Sequence, residues 1–156
     1  IKNKKKLTIT DKNMTRFLMG LNDAVSLILN SEKFTRGGEI FISKMPSTNI
    51  NDLALSMIEI MNKKNKIKYS KNMIKYVGIR TGEKLYEELI NNEEVNRTYV
   101  SSKFFVVLPK IYKVNNKNYK FRFQKYNSNF EIRSNNNKNL IKNKIQKLLL
   151  NNFSFN

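Results

Sequence analysis

Two kinds of apolar spacing alternate along the first 109 residues, and this alternation constrains the fold more than any other feature of the sequence. Short runs of apolar and β-favouring residues, such as Leu7 to Thr10 and Phe104 to Leu108, indicate strands. Between such runs, apolar residues recur every three or four positions, which indicates helices with one apolar face. The first such face consists of Leu21, Ala24, Val25 and Ile28. The resulting order β-α-β-α-β-α-β predicts an α/β or α+β domain.

The same spacing predicts the other elements of this part of the chain. Strands are expected at Glu39 to Ser43 and at Lys75 to Ile79, the second of them buried. Asn49 is suited to cap a second helix, because its short side chain can accept a hydrogen bond from a free backbone N–H in the first turn. The inner face of that helix consists of Ile50, Leu53, Met57 and Met61. A third helix is expected from Glu83 to Ile90, with Leu85, Tyr86 and Leu89 turned inward.

The sequence changes character after Pro109. Up to that residue 19 cationic side chains stand against 11 carboxylates, whereas the rest of the chain holds 11 cationic side chains and one carboxylate. In this basic part an alternating row predicts one more strand, formed by Tyr119, Phe121 and Phe123. A terminal helix is predicted from Ile141, Ile145, Leu148 and Leu149. We therefore predict a patterned domain over residues 1–109 and a basic C-terminal extension over residues 110–156, with one strand and a terminal helix.

The formal net charge of +18 raises the hypothesis of a small basic nucleic-acid-binding module, since clustered cations bind phosphate backbones through counterion release. Of the 30 cationic residues, however, 24 are Lys and only 6 are Arg, whereas nucleic-acid surfaces favour Arg for bidentate contacts. Asn is about as abundant as Lys, a bias typical of AT-rich coding sequence, and the charge is spread along the chain. Nucleic-acid binding therefore remains an alternative hypothesis rather than the favoured one.

Cys and His are both absent, which excludes disulfides, thiolate nucleophiles, imidazole bases and ordinary zinc sites from this sequence. No metal site is expected. The longest apolar run, Phe104 to Leu108, is far shorter than the roughly 20 residues that cross a bilayer. We therefore expect no membrane span in this chain and a cytoplasmic location. Because the first residue is Ile rather than Met, the sequence is expected to be part of a longer protein.

The stretch VGIRTGEKLYEELI, from Val77 to Ile90, is the most selective in its choice of residues. Arg80 can clamp two phosphate oxygens, Gly82 permits close approach of the backbone, and Glu83 is an acceptor suited to ribose hydroxyls. A helix that begins here would add free N–H groups and a positive dipole end. The simpler hypothesis is that Thr81 caps this helix and Glu83 complements its dipole, worth about 0.3–1 kcal/mol. Residue types alone favour the helix cap.

Three further features invite a functional interpretation, and residue types alone favour a structural one for each. Arg16 precedes the first predicted helix and can reach an anion, but a solvated surface Arg is the commoner case. The aromatic row of the basic tail can stack bases, yet any half-buried strand shows the same alternation. The carboxylates between Glu87 and Glu94 show no sign of converging across a cleft, so a solvated face is expected rather than acid–base catalysis.

Five motifs occur in order between Leu7 and Pro109: LTITDKNMTRFLM, GGEIFISKMPS, DLA, VGIRTGEKLYEELI and EE…RTY…FFVVLP. Together they resemble the C-terminal half of the UDP-N-acetylglucosamine 4,6-dehydratases of polysaccharide and flagellin-sugar biosynthesis, which belong to the extended short-chain dehydrogenase/reductases. The basic tail resembles the C terminus of that family more loosely. An ordered series is far more specific than any single motif, so the resemblance favours a nucleotide site over a helix cap alone.

The resemblance implies an α/β enzyme of two lobes. Its N-terminal Rossmann lobe binds NADP and holds a catalytic Tyr and Lys, and its C-terminal lobe binds the UDP-sugar. The cofactor oxidises C4 of the sugar, water leaves across C5 and C6, and the hydride returns at C6. The present chain matches only the substrate-binding lobe, and neither G-x-x-G-x-x-G nor G-x-G-x-x-G occurs in it. The Rossmann lobe is therefore expected to be largely missing from this chain, which by itself should bind no cofactor and contain no catalytic residue.

Residue by residue, the resemblance implies that Arg80 binds the diphosphate and Glu83 the ribose. Arg16 is implied as a second phosphate contact. The residues implied to line the same nucleotide pocket are Lys84, Leu85 and Tyr86.

Two positions depart from the family pattern. Thr81 stands where Pro is usual. Tyr86 stands where many members have His and where related branches that also epimerise have Tyr, so the resemblance leaves open whether the product is that of dehydration alone. The chain is expected to need the missing Rossmann half, from the same gene or from a separate chain, and the complete enzyme is expected to be a homo-oligomer.

Overall fold

The computed structural model describes residues 6–65, 69–110, 123–127, 131–136 and 140–153. These residues form an α/β fold with four α-helices and short strands that pair in both parallel and antiparallel fashion, so the predicted α/β class is confirmed. In chain order the strands are β1 (Leu7–Ile9), β2 (Thr15–Phe17), β3 (Ile40–Ser43), β4 (Ser47–Asn49), β5 (Ile74–Tyr76), β6 (Glu88–Ile90), β7 (Thr98–Val100), β8 (Phe104–Val107), β9 (Gln124–Lys125) and β10 (Ile132–Arg133). The helices are α1 (Leu21–Glu32), α2 (Ile50–Asn65), α3 (Asn92–Val95) and α4 (Lys142–Asn152), and a 3-10 turn spans Lys71–Met73.

The chain forms two compact units, each assembled from separate stretches of sequence. The first unit comprises Ile1–Leu18, Pro46–Glu87 and Ser134–Asn156, and the second comprises Met19–Met45 and Glu88–Arg133. The boundary predicted at Pro109 stays a prediction.

The first unit contains two pairs of strands and the two helices α2 and α4. Strands β1 and β5 pair in parallel, and β2 and β4 pair antiparallel. Helix α2 begins as predicted, because the Asn49 Oδ1 accepts a hydrogen bond of 2.8 Å from the backbone N–H of Asn51. Ile60 of α2 packs against Ile145 and Leu149 of α4, and all three side chains are buried. The predicted terminal helix is thus confirmed, and it covers the apolar face of α2.

The second unit is built on an antiparallel sheet with the strand order β3-β8-β7-β9. Strand β8 is buried on both faces, since successive side chains of a strand point to opposite sides of the sheet. Phe104 and Val106 join one apolar cluster, with Leu27 of α1 packed against it, and Val107 joins another with Ile90. This two-sided burial accounts for the uninterrupted apolar run from which the strand was predicted. The strand predicted around Tyr119 and Phe121 lies outside the described residues.

The helix predicted from Glu83 to Ile90 is wrong. A turn occupies Thr81 and Gly82, and residues 88–90 form strand β6, which pairs antiparallel with β10. The Glu83 backbone N–H donates to the carbonyl of Arg80 at 3.0 Å, which closes a turn where the first helical turn was expected. The apolar residues of this segment fit a strand as well as a helix, and the pairing with β10 decides between the two.

Two predictions about burial are also wrong. The strand predicted from Lys75 to Ile79 exists as β5, but Tyr76 and Val77 are exposed, because β5 has β1 as its strand partner in a sheet of two strands. Helix α1 lies where it was predicted, but its expected inner face is in solvent, with Leu21 77% and Ile28 66% exposed. The opposite side of this helix, represented by Leu27, is the one that packs on the sheet.

Candidate functional site

The five residues from Arg80 to Tyr86 that the resemblance singles out lie on one loop of the first unit. We call residues 77–87, which follow β5, the site loop. The loop turns sharply at Gly78 and Gly82, whose φ angles are +85° and +82°. L-residues with a side chain rarely adopt such φ angles, so both positions require glycine for this path of the backbone. The loop therefore presents its side chains on an irregular backbone rather than on the start of a helix.

Glu83 anchors the site loop to the end of β1. Its Oε1 accepts a hydrogen bond of 3.1 Å from the Thr10 hydroxyl, and its Oε2 accepts one of 3.2 Å from the backbone N–H of Arg80. Because each carboxylate oxygen can accept more than one hydrogen bond, both oxygens retain capacity for a further donor. Glu83 is therefore a fixed, half-buried acceptor beside Arg80.

Arg16 clamps the opposite end of the site loop. Its Nη2 donates to the carbonyl of Lys84 at 2.8 Å, and its Nη1 donates to the carbonyls of Thr15 at 2.7 Å and Leu85 at 3.4 Å. Its Nε lies 3.4 Å from the carboxylate of Glu87. The structure thus brings Arg16 to the loop that carries the other candidates. Most of its guanidinium donors bind that loop or its neighbour, which leaves little donor capacity for a ligand.

Arg80 and Lys84 differ from Arg16, because both are exposed and neither side chain makes a hydrogen bond or ion pair within the part of the chain that the structure describes. Leu85, 41% exposed, stands next to Lys84, and Tyr86 is half-buried. The loop therefore offers two cations to solvent beside one fixed carboxylate. Since no helix begins here, an anion would be bound by these side chains and not by a helix N-terminus.

Sequence reasoning missed Ser134, a fully buried residue whose hydroxyl lies under this loop. Its Oγ accepts from the backbone N–H of Glu87 at 2.9 Å and donates to the carbonyl of Thr15 at 3.1 Å. It also lies 2.8 Å from the hydroxyl of Thr15, a residue 119 positions away in sequence. No local pattern marks such a contact, because a single buried Ser carries no periodicity.

One Tyr is followed by a Lys four positions later, at Tyr99 and Lys103, the spacing of the catalytic pair implied for the missing lobe. In a helix, residues at this spacing lie one turn apart on the same face and can act together. Tyr99 lies in strand β7 and packs in an apolar cluster, whereas Lys103 is exposed in the turn before β8. These two residues therefore do not form a catalytic pair.

Comparisons with known proteins agree with this fold. Residues 1–109 match the model of a family described as polysaccharide biosynthesis protein. The X-ray structure of Pen from Bacillus thuringiensis superposes with a TM-score of 0.82 and 32% identity, over 97% of this chain and 42% of that one.

Two curated relatives show the same partial coverage. The chain is 42% identical over 144 residues to a Methanocaldococcus jannaschii protein named uncharacterized membrane protein MJ1061, over 92% of this chain and 40% of the relative. It is 44% identical over 95 residues to the UDP-glucose 4-epimerase of Rickettsia bellii, over 61% of this chain and 26% of the relative. The chain thus spans less than half the length of these relatives. Within the residues that the structure describes, no helix is both long and apolar enough to cross a bilayer.

The family match covers well over half of the chain, and the fold of the chain superposes on that of a solved relative at 32% identity. The chain belongs to the polysaccharide biosynthesis protein family, a branch of the short-chain dehydrogenase/reductases.

Proposed function

We propose that this chain is the UDP-sugar-binding part of an NADP-dependent UDP-N-acetylglucosamine 4,6-dehydratase, a lyase of surface polysaccharide or glycan biosynthesis, with or without epimerase activity. The observation that carries this proposal is a pair of exposed cations, Arg80 and Lys84, which have no partner among the described residues and lie on a loop whose backbone is held by Arg16 and Glu83. The family match supports it, and so does the nucleotide sugar for which the epimerase relatives are named.

Each candidate residue has a chemical part in this proposal. The planar guanidinium of Arg80 binds two oxygens of the diphosphate, and Lys84 adds a second positive charge beside it. Glu83 uses the remaining acceptor capacity of its carboxylate for ribose hydroxyls. Leu85 and Tyr86 line the nucleotide pocket.

Arg16 has a different part, because its guanidinium is already bonded to the loop. It holds the backbone of residues 84 and 85, and a remaining N–H is available for a phosphate oxygen.

The catalytic half is proposed to lie outside this sequence. NADP supplies hydride transfer when it is bound, but the residues present do not fit it, because the sequence has no glycine-rich dinucleotide fingerprint. We propose that a Rossmann lobe, from the same gene or from a separate chain, binds NADP and provides the catalytic Tyr and Lys. The chain alone is therefore inactive, and the complete enzyme is a cytoplasmic homo-oligomer.

The exposed face of α1 supports such a partner. Leu21, Val25, Ile28 and Leu29 are 77%, 47%, 66% and 60% exposed on one helix. Contiguous apolar surface of this kind usually marks an interface. The curated relative with 92% coverage of this chain extends well beyond the match, since only 40% of its length is covered. We propose that the Rossmann lobe of such a longer protein covers this face.

Calorimetric titration of the chain with UDP tests the proposal. We expect weak but measurable binding by the wild type, because the isolated loop is open to water. Arg80→Ala should weaken it about tenfold, since a charge-assisted hydrogen bond is worth about 1.5–3 kcal/mol when it is formed and the site is partly screened. Uridine, which lacks the diphosphate, should bind no better to the wild type than to Arg80→Ala.

Arg36→Ala is the matched control, because Arg36 is also an exposed arginine but belongs to the second unit. It should leave the affinity for UDP unchanged. If both substitutions weaken the affinity for UDP equally, binding depends only on the overall positive charge, and the assignment of Arg80 is overturned. Salt-sensitive binding of RNA with no binding of UDP would favour the nucleic-acid hypothesis instead.

A further inference from the structure

Ser134 uses the full hydrogen-bonding capacity of its hydroxyl at the base of the site loop. It donates its one proton to the carbonyl of Thr15 at 3.1 Å and accepts from the backbone N–H of Glu87 at 2.9 Å. Because that proton is used, the hydroxyl of Thr15 is the donor in the 2.8 Å bond between the two side chains. The backbone N–H of Ser134 also donates to the carbonyl of Glu87 at 2.8 Å. Ser134 is completely buried, so water cannot replace these bonds in the folded chain.

These bonds connect Ser134 to Arg16 by two routes. The carbonyl of Thr15 accepts from both Ser134 and the Arg16 Nη1, the latter at 2.7 Å. Glu87, held by Ser134 through its backbone, places its carboxylate 3.4 Å from the Arg16 Nε. Arg16 in turn holds the carbonyls of Lys84 and Leu85. The path from Ser134 to the exposed cation Lys84 is therefore a continuous chain of hydrogen bonds.

Ser134 belongs to the C-terminal stretch of the first unit, which makes a second bond near the same strands. The backbone N–H of Leu140 donates to the carbonyl of Ser47 at 2.8 Å, and Ser47 lies in β4, the partner of β2. Thr15 and Arg16 lie in β2. The C-terminal stretch thus contacts this pair of strands at two points, β2 at Thr15 and β4 at Ser47.

We propose that Ser134 is a positioning residue for the UDP site: through Thr15 and Glu87 it sets the place of Arg16, and through Arg16 the place of the cationic part of the site loop. This inference rests on the proposed function. Loss of the hydroxyl leaves the buried hydroxyl of Thr15 and the part-buried N–H of Glu87 without this partner, which favours opening of the loop. UDP must then order the open loop as it binds, and the free-energy cost of this ordering lowers its affinity.

The test compares Ser134→Ala with Ser56→Ala in the chain as it stands. Ser56 is the matched control, since it is also completely buried in the first unit but its hydroxyl has no hydrogen-bond partner among the described residues. Calorimetry with UDP should show about a fivefold to tenfold loss of affinity for Ser134→Ala and no change for Ser56→Ala. Hydrogen exchange of the Glu87 amide should accelerate by a similar factor in Ser134→Ala, while the amide of Ile60 in α2 keeps its protection.

The outcomes separate the two proposals. A wild-type chain that fails to bind UDP would overturn the proposed function, and the positioning role with it. A wild type that binds UDP and a folded Ser134→Ala that binds it equally well would overturn the role of Ser134 alone, even if the Glu87 amide exchanges faster, because Ser134 would then be merely structural. If Ser134→Ala does not fold, Thr15→Val removes the bonded hydroxyl without changing the shape of the side chain, and unchanged affinity for UDP in that variant would overturn the proposal.

Discussion

Helices α1 and α2 are both amphipathic, yet within the part of the chain that the structure describes the apolar face of only one of them is covered. In α2, Ile60 is 4% exposed and packs with Leu53 and Met57 against Ile145 and Leu149 of α4. In α1 no side chain is fully buried, and four large apolar residues are between 47% and 77% exposed. Apolar spacing thus predicts that a helix has an apolar face. It does not predict which part of the protein packs against that face.

The partner of α2 lies far along the same chain. Ile145 and Leu149 of α4 follow Ile60 by more than 80 positions. For α1 the sheet takes only the side that carries Leu27. The exposed apolar residues of α1 form the surface that the Rossmann lobe is proposed to cover.

The largest expected effect comes from truncating the covered helix. Ile60→Ala should lower the free energy of unfolding by about 3 kcal/mol, because it removes buried methyl groups and leaves a cavity against α4. Urea unfolding followed by circular dichroism measures this change. A loss below about 1 kcal/mol would show that α4 does not pack tightly on α2, so that the two helices would not differ in the way described.

A smaller effect is expected at the rim of the same helix pair. Lys142 and Gln146 of α4 both bind the carboxylate of Glu59, the second at 2.8 Å. The hydrogen bond and charge of Lys142 hold the pKa of Glu59 below its ordinary value, against an opposing contribution from burial. A lowered folded pKa stabilises the fold above the unfolded pKa, and this stabilisation is lost as the pH falls through the folded pKa.

Glu59→Gln should therefore cost less than about 1 kcal/mol of unfolding free energy at neutral pH, since the pair is partly exposed and screened. In acid, below the lowered pKa, wild type and variant should become equally stable. Glu32→Gln at the end of α1 is the control and should show no loss at either pH. A difference for Glu59→Gln that is the same at both pH values would contradict the ion pair with α4.

The smallest effect is expected on the exposed helix. Ile28→Ala makes the same substitution as Ile60→Ala, but Ile28 is 66% exposed and Ile60 is 4% exposed. No cavity forms, and Ala has the higher helix propensity, so stability should stay the same or rise by a few tenths of a kcal/mol. A loss of about 2 kcal/mol would mean that the isolated chain already covers this face, for example by self-association, which sedimentation would detect.

Much of the fold could be predicted because β8, α1, α2 and α4 carry their periodicity in the sequence itself. The segment from Glu83 to Ile90 could not be predicted in the same way. Its residues fit a helix or a strand, and the choice depends on pairing with Ile132 and Arg133, about 40 positions away.

The candidate site likewise has features that the sequence predicts and features that depend on contacts between distant residues. Residue types and motif order pointed to the stretch around Arg80. The sequence did not predict that Arg16 binds the loop carbonyls or that Ser134 lies beneath them. These contacts join residues 69 and 119 positions apart. A hydroxyl or guanidinium that binds distant backbone leaves no periodic pattern in the sequence.

The discontinuous make-up of the two units has a consequence for synthesis of the chain. The second unit ends at Arg133, so all of its strands have left the ribosome before the first unit has received its last stretch. Until Ser134 and the residues of α4 emerge, α2 lacks its apolar cover, and Thr15 and Glu87 lack their shared partner. The surroundings of the site loop are thus completed only after the stretch from Ser134 onward has been made, and until then the first unit cannot finish folding.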